Sequence, residues 1–211
     1  NPHNGAYSRY INMRDTDKWT DDIHFLVGDC KRNIQSLDAF ESEHYIKNAE
    51  KLFVNQFDLI SIQFAIHYFF ESKDKIDNIV ENIDSNLKTN GYLIGSCFDG
   101  KKIFDLFNLN DVNEINSGAE NLWKIEKLYE TTENLTDDLN SEYKPFNINV
   151  YIESIGQNNV ESLVNFVYLQ KLLEQRNIKL ISVQDFEDFS KLPYYKNMKF
   201  DEEKLSKLNK Y

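Results

Sequence analysis

The chain has 211 residues, 41% of them hydrophobic and 28% charged, with a formal net charge of −11. That length suits one domain, spanning 1–211, with a sizeable core, and the acidic balance argues against the broad basic face needed for sequence-independent binding to a phosphate backbone. A local pocket for one nucleotide or a short RNA end stays open, whereas no apolar run approaches the roughly 20 residues of a transmembrane helix.

In chain order, the opening Asn1-Pro2-His3-Asn4-Gly5 is polar and does not read as a signal peptide; it also starts without Met, as a fragment of a longer polypeptide would. Residues 6–14 read as a helix with Tyr7, Tyr10 and Ile11 on one face, and residues 23–27 as a short apolar strand ending in Gly28-Asp29. The two cysteines, Cys30 and Cys97, are far apart and have no neighbouring His. A zinc site or disulfide framework is therefore not expected, and an intracellular, reducing compartment is. Residues 38–53 are helical in part.

Phe57-Asp58-Leu59-Ile60-Ser61-Ile62-Gln63 is an apolar run of strand length, followed at once by Phe64-Ala65-Ile66-His67-Tyr68. Residues 72–87 form an amphipathic helix, with Ile76, Ile79, Val80, Ile83 and Leu87 at spacings of three and four and Ser72 as N-cap. Asn90-Gly91 then turns the chain into a strand over 92–97. Strand, helix and strand within about 40 residues make a βαβ unit with parallel strands. A short helix over 101–107 follows, then possible strands at 123–129 and 147–153. A long helix is expected over 160–175, which puts Glu161 in its first turn, and a further strand over 178–183. The class is α/β.

Ligands collect at the carboxyl ends of parallel strands, and that rule selects the candidates. Asp29 directly follows a strand and can accept a hydrogen bond from an exocyclic amine, or serve only as a turn residue. Gln63 ends the central strand with both a donor and an acceptor. His67 and Tyr68 lie among Phe64, Phe69 and Phe70, where a flat apolar slot with polar tips would suit a purine. Glu161 either complements a helix dipole or accepts the paired imino and amino protons of guanine. Lys31-Arg32 and Lys101-Lys102 are small basic clusters beside strand ends, suited to phosphate or to solvent. No Gly-x-Ser-x-Gly, Gly-x-x-x-x-Gly-Lys or His-Glu-x-x-His motif occurs.

Four segments together resemble the mRNA cap guanine-N7 methyltransferase family. They are Asn1 to Tyr10, Phe57 to Tyr68 with its Gln-Phe-Ala-Ile-His-Tyr, Asn90 to Gly100, and Val160-Glu161-Ser162-Leu163-Val164. The Asp99-Gly100 pair is similar to the large-DNA-virus branch. The resemblance implies a Rossmann-like class I methyltransferase fold, a mostly parallel sheet flanked by helices. It also implies S-adenosylmethionine as methyl donor and the guanine of GpppN-capped RNA as acceptor. It assigns Asp29 to the adenine of the cofactor, Gln63 to its methionine part and Tyr68 to both ligands. His67, Phe98 and Glu161 go to the guanine, with Tyr211 as a further cap contact.

The family's glycine-rich cofactor loop has no counterpart in this sequence. The fold is therefore expected to be incomplete at its N-terminus, the chain to be a fragment of a longer protein, and the isolated chain to be a poor enzyme. Other domains or subunits of a capping enzyme are the implied partners. The implied location is cytoplasmic (viral factory or virion) for a viral protein and the nucleus for a cellular one. An inactive methyltransferase-like partner module, or a methyltransferase for another acceptor, are the alternatives.

Overall fold

A computed structural model of the protein describes residues 6–17, 23–54, 56–118, 122–130, 134–186 and 188. The segment 1–5 and Tyr211, both named above, lie outside the described residues.

The expected βαβ unit is present. Strand β1 (Phe57–Gln63) leads through a 3₁₀ turn (Ile66–Phe69) and helix α3 (Lys73–Asn86) to strand β2 (Leu87–Ser96). The two strands pair in parallel, Leu59 with Tyr92 through Gln63 with Ser96. The turn expected at Asn90-Gly91 is absorbed into β2. Phe57 pairs with Leu87 but Leu59 with Tyr92, so the extra residues bulge out, and Asn90 takes a left-handed φ of 67°. Helix α3 buries Ile76, Ile79, Val80 and Ile83 as its spacing requires. Ser72 holds the N-cap position without a side-chain hydrogen bond.

Upstream, α1 (Ala6–Asp17) and α2 (Glu43–Leu52) form. The strand expected at residues 23–27 does not. Phe25 packs instead against Tyr7 and Tyr10, with ring centroids 5.6 and 5.4 Å away. Leu26 packs on a small core of Ala39, Phe40 and Ala49. Apolar residues there signal packing, and a strand needs in addition a neighbour with which to exchange hydrogen bonds.

Downstream, α4 (Gly100–Leu109) is capped by Asp99, whose carboxylate accepts from the Lys102 amide at 3.1 Å. It buries Ile103, Phe104 and Phe107 against an antiparallel sheet ordered β3 (Glu114–Asn116), β4 (Trp123–Lys127), β5 (Asn147–Ile152) and β6 (Gln157–Ser162). The expectation of a helix from residue 160 fails here. Residues 157–162 are a strand, and α5 runs only from Phe166 to Gln175. Two signals mark that boundary. Gly156, at φ +73°, turns a hairpin between β5 and β6, and Asn165 caps α5 by accepting from the Tyr168 amide at 3.1 Å. Residues 178–183 form no strand; Leu180, Ile181 and Val183 are exposed.

Consecutive residues join the two main cores. Leu163 belongs to the core between α4 and the antiparallel sheet. Val164 belongs to the core of α3, α5 and the 3₁₀ turn. The link leaving β6 therefore feeds both.

Candidate active site

Where β1 ends, the chain must turn sharply. The Phe64 amide donates to the Ser96 carbonyl at 2.9 Å, the last rung to β2, and Phe64 itself sits at φ +47°. A left-handed conformation is uncommon for a bulky residue and is found where surrounding packing imposes it. The packing here is the 3₁₀ turn, whose Ile66 and Phe69 are both buried in the α3 core. With those two facing inward, His67 is directed at β6.

There it meets Glu161. The imidazole Nε2 lies 3.6 Å from the Glu161 carboxylate, and the two side chains are only 9% and 11% exposed. That separation is too long for a hydrogen bond, and His67 Nε2 is buried with no hydrogen-bond partner. Burial lowers the pKa of His67 and raises that of Glu161, each toward its neutral form. In both cases burial is the cause, and the two side chains face one gap.

Aromatic rings surround the gap. Tyr68 stands 4.1 Å from the His67 ring at 55° and is half-exposed. Phe98, on the link from β2 to α4, lines the gap together with Gly100, Ile103 and Val164. Phe64 lies 6.1 Å from Phe98, with half its surface open. The gap lined by His67, Phe98, Gly100, Glu161 and Val164 holds about 10 Å³, the space of one water-sized sphere, and the half-exposed Phe64 and Tyr68 rings stand outside that lining. A larger cavity of about 250 Å³ lies between residues 134–146 and the start of α5, near Tyr143 and Tyr168. It contains none of the residues expected in the site. The smaller void is where His67 and Glu161, the pair selected from the sequence, converge, and convergent polar groups are one mark of a site.

The sequence expectations therefore divide. His67, Tyr68, Phe98 and Glu161 come together, although Glu161 arrives from a strand and not from a helix N-terminus. Helix-dipole complementarity is thus no explanation for it. Gln63 is at the end of β1, where its amide accepts from Ser96 Oγ at 2.6 Å and donates to Ser61 Oγ at 3.1 Å. One amide hydrogen and one lone pair are left over.

Asp29 is in a turn. Its carboxylate accepts from the Lys31 amide at 3.0 Å and lies 3.8 Å from Arg32. Lys31 ties this turn to Glu71, past the 3₁₀ turn, at 3.1 Å. The basic clusters are engaged by carboxylates: Lys101 by Asp105, and Lys102 by Asp185 at 2.8 Å. Among the described residues no group of three or more His, Cys, Asp or Glu suits a metal ion. Also among them, no helix is long and apolar enough to cross a membrane.

A parallel β-strand pair with polar side chains gathered at and just past its carboxyl ends is where an α/β domain takes its ligand. A family model described as the mRNA (guanine-N(7))-methyltransferase domain matches residues 3–210. The chain is similar to a probable mRNA-capping enzyme of Acanthamoeba polyphaga mimivirus, 29% identical over 62% of this chain and 12% of that protein. It is similar also to the mRNA cap guanine-N(7) methyltransferases of Caenorhabditis briggsae and Eremothecium gossypii. These are 28% and 26% identical over 86% and 91% of this chain, and over 43% of each relative. The chain thus spans less than half the length of these relatives. It belongs to the mRNA (guanine-N(7))-methyltransferase domain family.

Proposed function

We propose that the slot between His67 and Glu161 holds the guanine of a GpppN cap for methylation at N7. The observation that carries this reading is the unpartnered imidazole nitrogen beside a buried carboxylate. Buried polar atoms are normally satisfied, so the pair calls for a ligand edge of complementary polarity. Guanine offers one: N1–H and the 2-amino group donate toward Glu161, and O6 accepts from His67 Nε2–H. Tyr68 and Phe98 supply apolar faces for the ring.

Bound S-adenosylmethionine would supply a methyl group on a sulfonium, an electrophile that N7 can attack with its own lone pair. No residue has to remove a proton from N7, so the protein's task is alignment, worth up to roughly 7–11 kcal/mol of the barrier. Gln63 keeps a donor and an acceptor free for the methionine end. Asp29 would give up one turn hydrogen bond to reach an adenine amine, and Tyr68 would touch both ligands. The residues fit such a ligand in kind. The elements read as one domain, because Leu163 and Val164 feed adjacent cores. Two free cysteines fit a reducing compartment.

Calorimetric titration of the chain with GpppA and, separately, with S-adenosylhomocysteine tests the reading. GpppA should bind, and His67→Ala and Glu161→Ala should abolish that binding with circular dichroism unchanged. A chain that binds S-adenosylhomocysteine but no cap analogue acts on another acceptor. A chain that binds neither is a partner module.

A further inference from the structure

The gap lies where the two main cores meet, and one residue sets how close α4 comes to the link leaving β6. Gly100, the first residue of α4, is buried against the backbone of Val164, the residue that leaves β6 three positions after Glu161. A Cβ on Gly100 would lie 2.4 Å from the Val164 carbonyl oxygen, 2.7 Å from its nitrogen and 2.9 Å from its carbonyl carbon. None of these atoms can rotate away, because Val164 is itself held in the α3–α5 core. Gly100 also follows Phe98 by two residues, and Asp99 between them fastens the first turn of α4. This tight approach of α4 to the β6 exit lies beside the gap that Phe98 and Glu161 both line.

We infer that Gly100 is a positioning residue that sets the width of the slot and so its preference for guanine. The inference rests on the reading of the slot as a guanine site. A side chain at 100 must push α4 and the β6 exit apart. Ordinary carbon–oxygen contacts begin at about 3.0–3.4 Å, so a 2.4 Å approach demands roughly 0.6–1.0 Å of opening. The movement separates Phe98 from Glu161 without touching either. A ring that is no longer pressed against the carboxylate loses the benefit of its 2-amino group first, because that hydrogen bond depends on distance and angle.

The test compares GpppA with IpppA, whose inosine lacks only the 2-amino group, on the 211-residue chain and its Gly100→Ala variant. The wild-type chain binds GpppA more tightly than IpppA. The variant, still folded by circular dichroism, binds GpppA about 10- to 150-fold more weakly, the range expected when a hydrogen bond to a charged carboxylate is lost, and its ratio of the two affinities falls toward one.

A folded variant with unchanged affinity and unchanged ratio overturns the role of Gly100 and leaves the guanine site standing. A wild-type chain with no preference for GpppA overturns both. If alanine at 100 prevents folding, Asp99→Ala serves instead. It loosens the first turn of α4 without adding bulk, and should lower the same ratio; an unchanged ratio there also overturns the inference.

Discussion

Glu161→Gln is the substitution most informative about the slot. It keeps size and shape but replaces a carboxylate that accepts two hydrogen bonds with an amide that presents a donor where guanine also donates. A hydrogen bond to a charged group contributes about 1.5–3 kcal/mol net. At 1.36 kcal/mol per decade that is roughly a 10- to 150-fold loss of GpppA affinity. Stability should move the other way or not at all. Burial already opposes the charge of Glu161 and raises its pKa from 4.5, so removing the charge relieves a cost of folding.

The wild-type pH profile supplies a second readout. Binding needs the ionised carboxylate, so affinity falls as pH drops through the raised pKa, and the loss sets in above the 4.5 of an ordinary Glu. The variant lacks that limb. Fluorescence titration with GpppA from pH 8 to 5, beside thermal melting of both proteins, measures all three effects. A variant that melts normally and binds GpppA as the wild type does would refute the assignment of Glu161.

Other expectations concern the scaffold. His67 has a pKa lowered from 6.5 by burial, so the folded state binds its proton less readily than the unfolded chain. Its contribution is therefore complete above pH 6.5 and is lost as pH falls toward the lowered value. His67→Gln should flatten the decline in melting temperature over that window. Asn82, almost fully buried, accepts from the Ile34 amide at 2.9 Å and donates to the carbonyls of Arg32 and Cys30 at 2.8 and 3.1 Å. Asn82→Ala should cost about 2–3 kcal/mol at about 1 kcal/mol per bond, with faster hydrogen exchange at Ile34, because these bonds dock the Asp29 turn onto α3. Phe107→Ala, at a site with no exposed surface, should cost about 3–5 kcal/mol in denaturant unfolding. A loss under 1 kcal/mol would mean that α4 is not packed on the antiparallel sheet.

Much of the scaffold was legible without coordinates. The spacing of Ile76, Ile79, Val80 and Ile83 marks α3, and the apolar run from Phe57 marks β1. Together with the strand after Gly91 they specify a parallel pair. Local order of this kind is readable because period and punctuation lie within a few residues of one another. Two of the errors share a cause. Residues 23–27 and 178–183 are apolar enough for strands, but strand formation depends on a neighbour far away in sequence. In residues 160–175, the apolar pattern of α5 runs on from that of β6, and only Gly156 and Asn165 punctuate it.

The site divides in the same way. The residue types were evident in the chain: a polar amide ending β1, an imidazole and a phenol just past it, and an acid near the last helix. Their convergence was not, since His67 and Glu161 are 94 positions apart and meet only because β6 pairs with β5 and packs beside the 3₁₀ turn. The role of Gly100 was equally hidden. A glycine after a strand reads as a turn until Val164 is found against it. Side-chain chemistry is a property of single residues and is written in their order. The distances at which it acts arise from two cores closing on each other, and no local pattern encodes them.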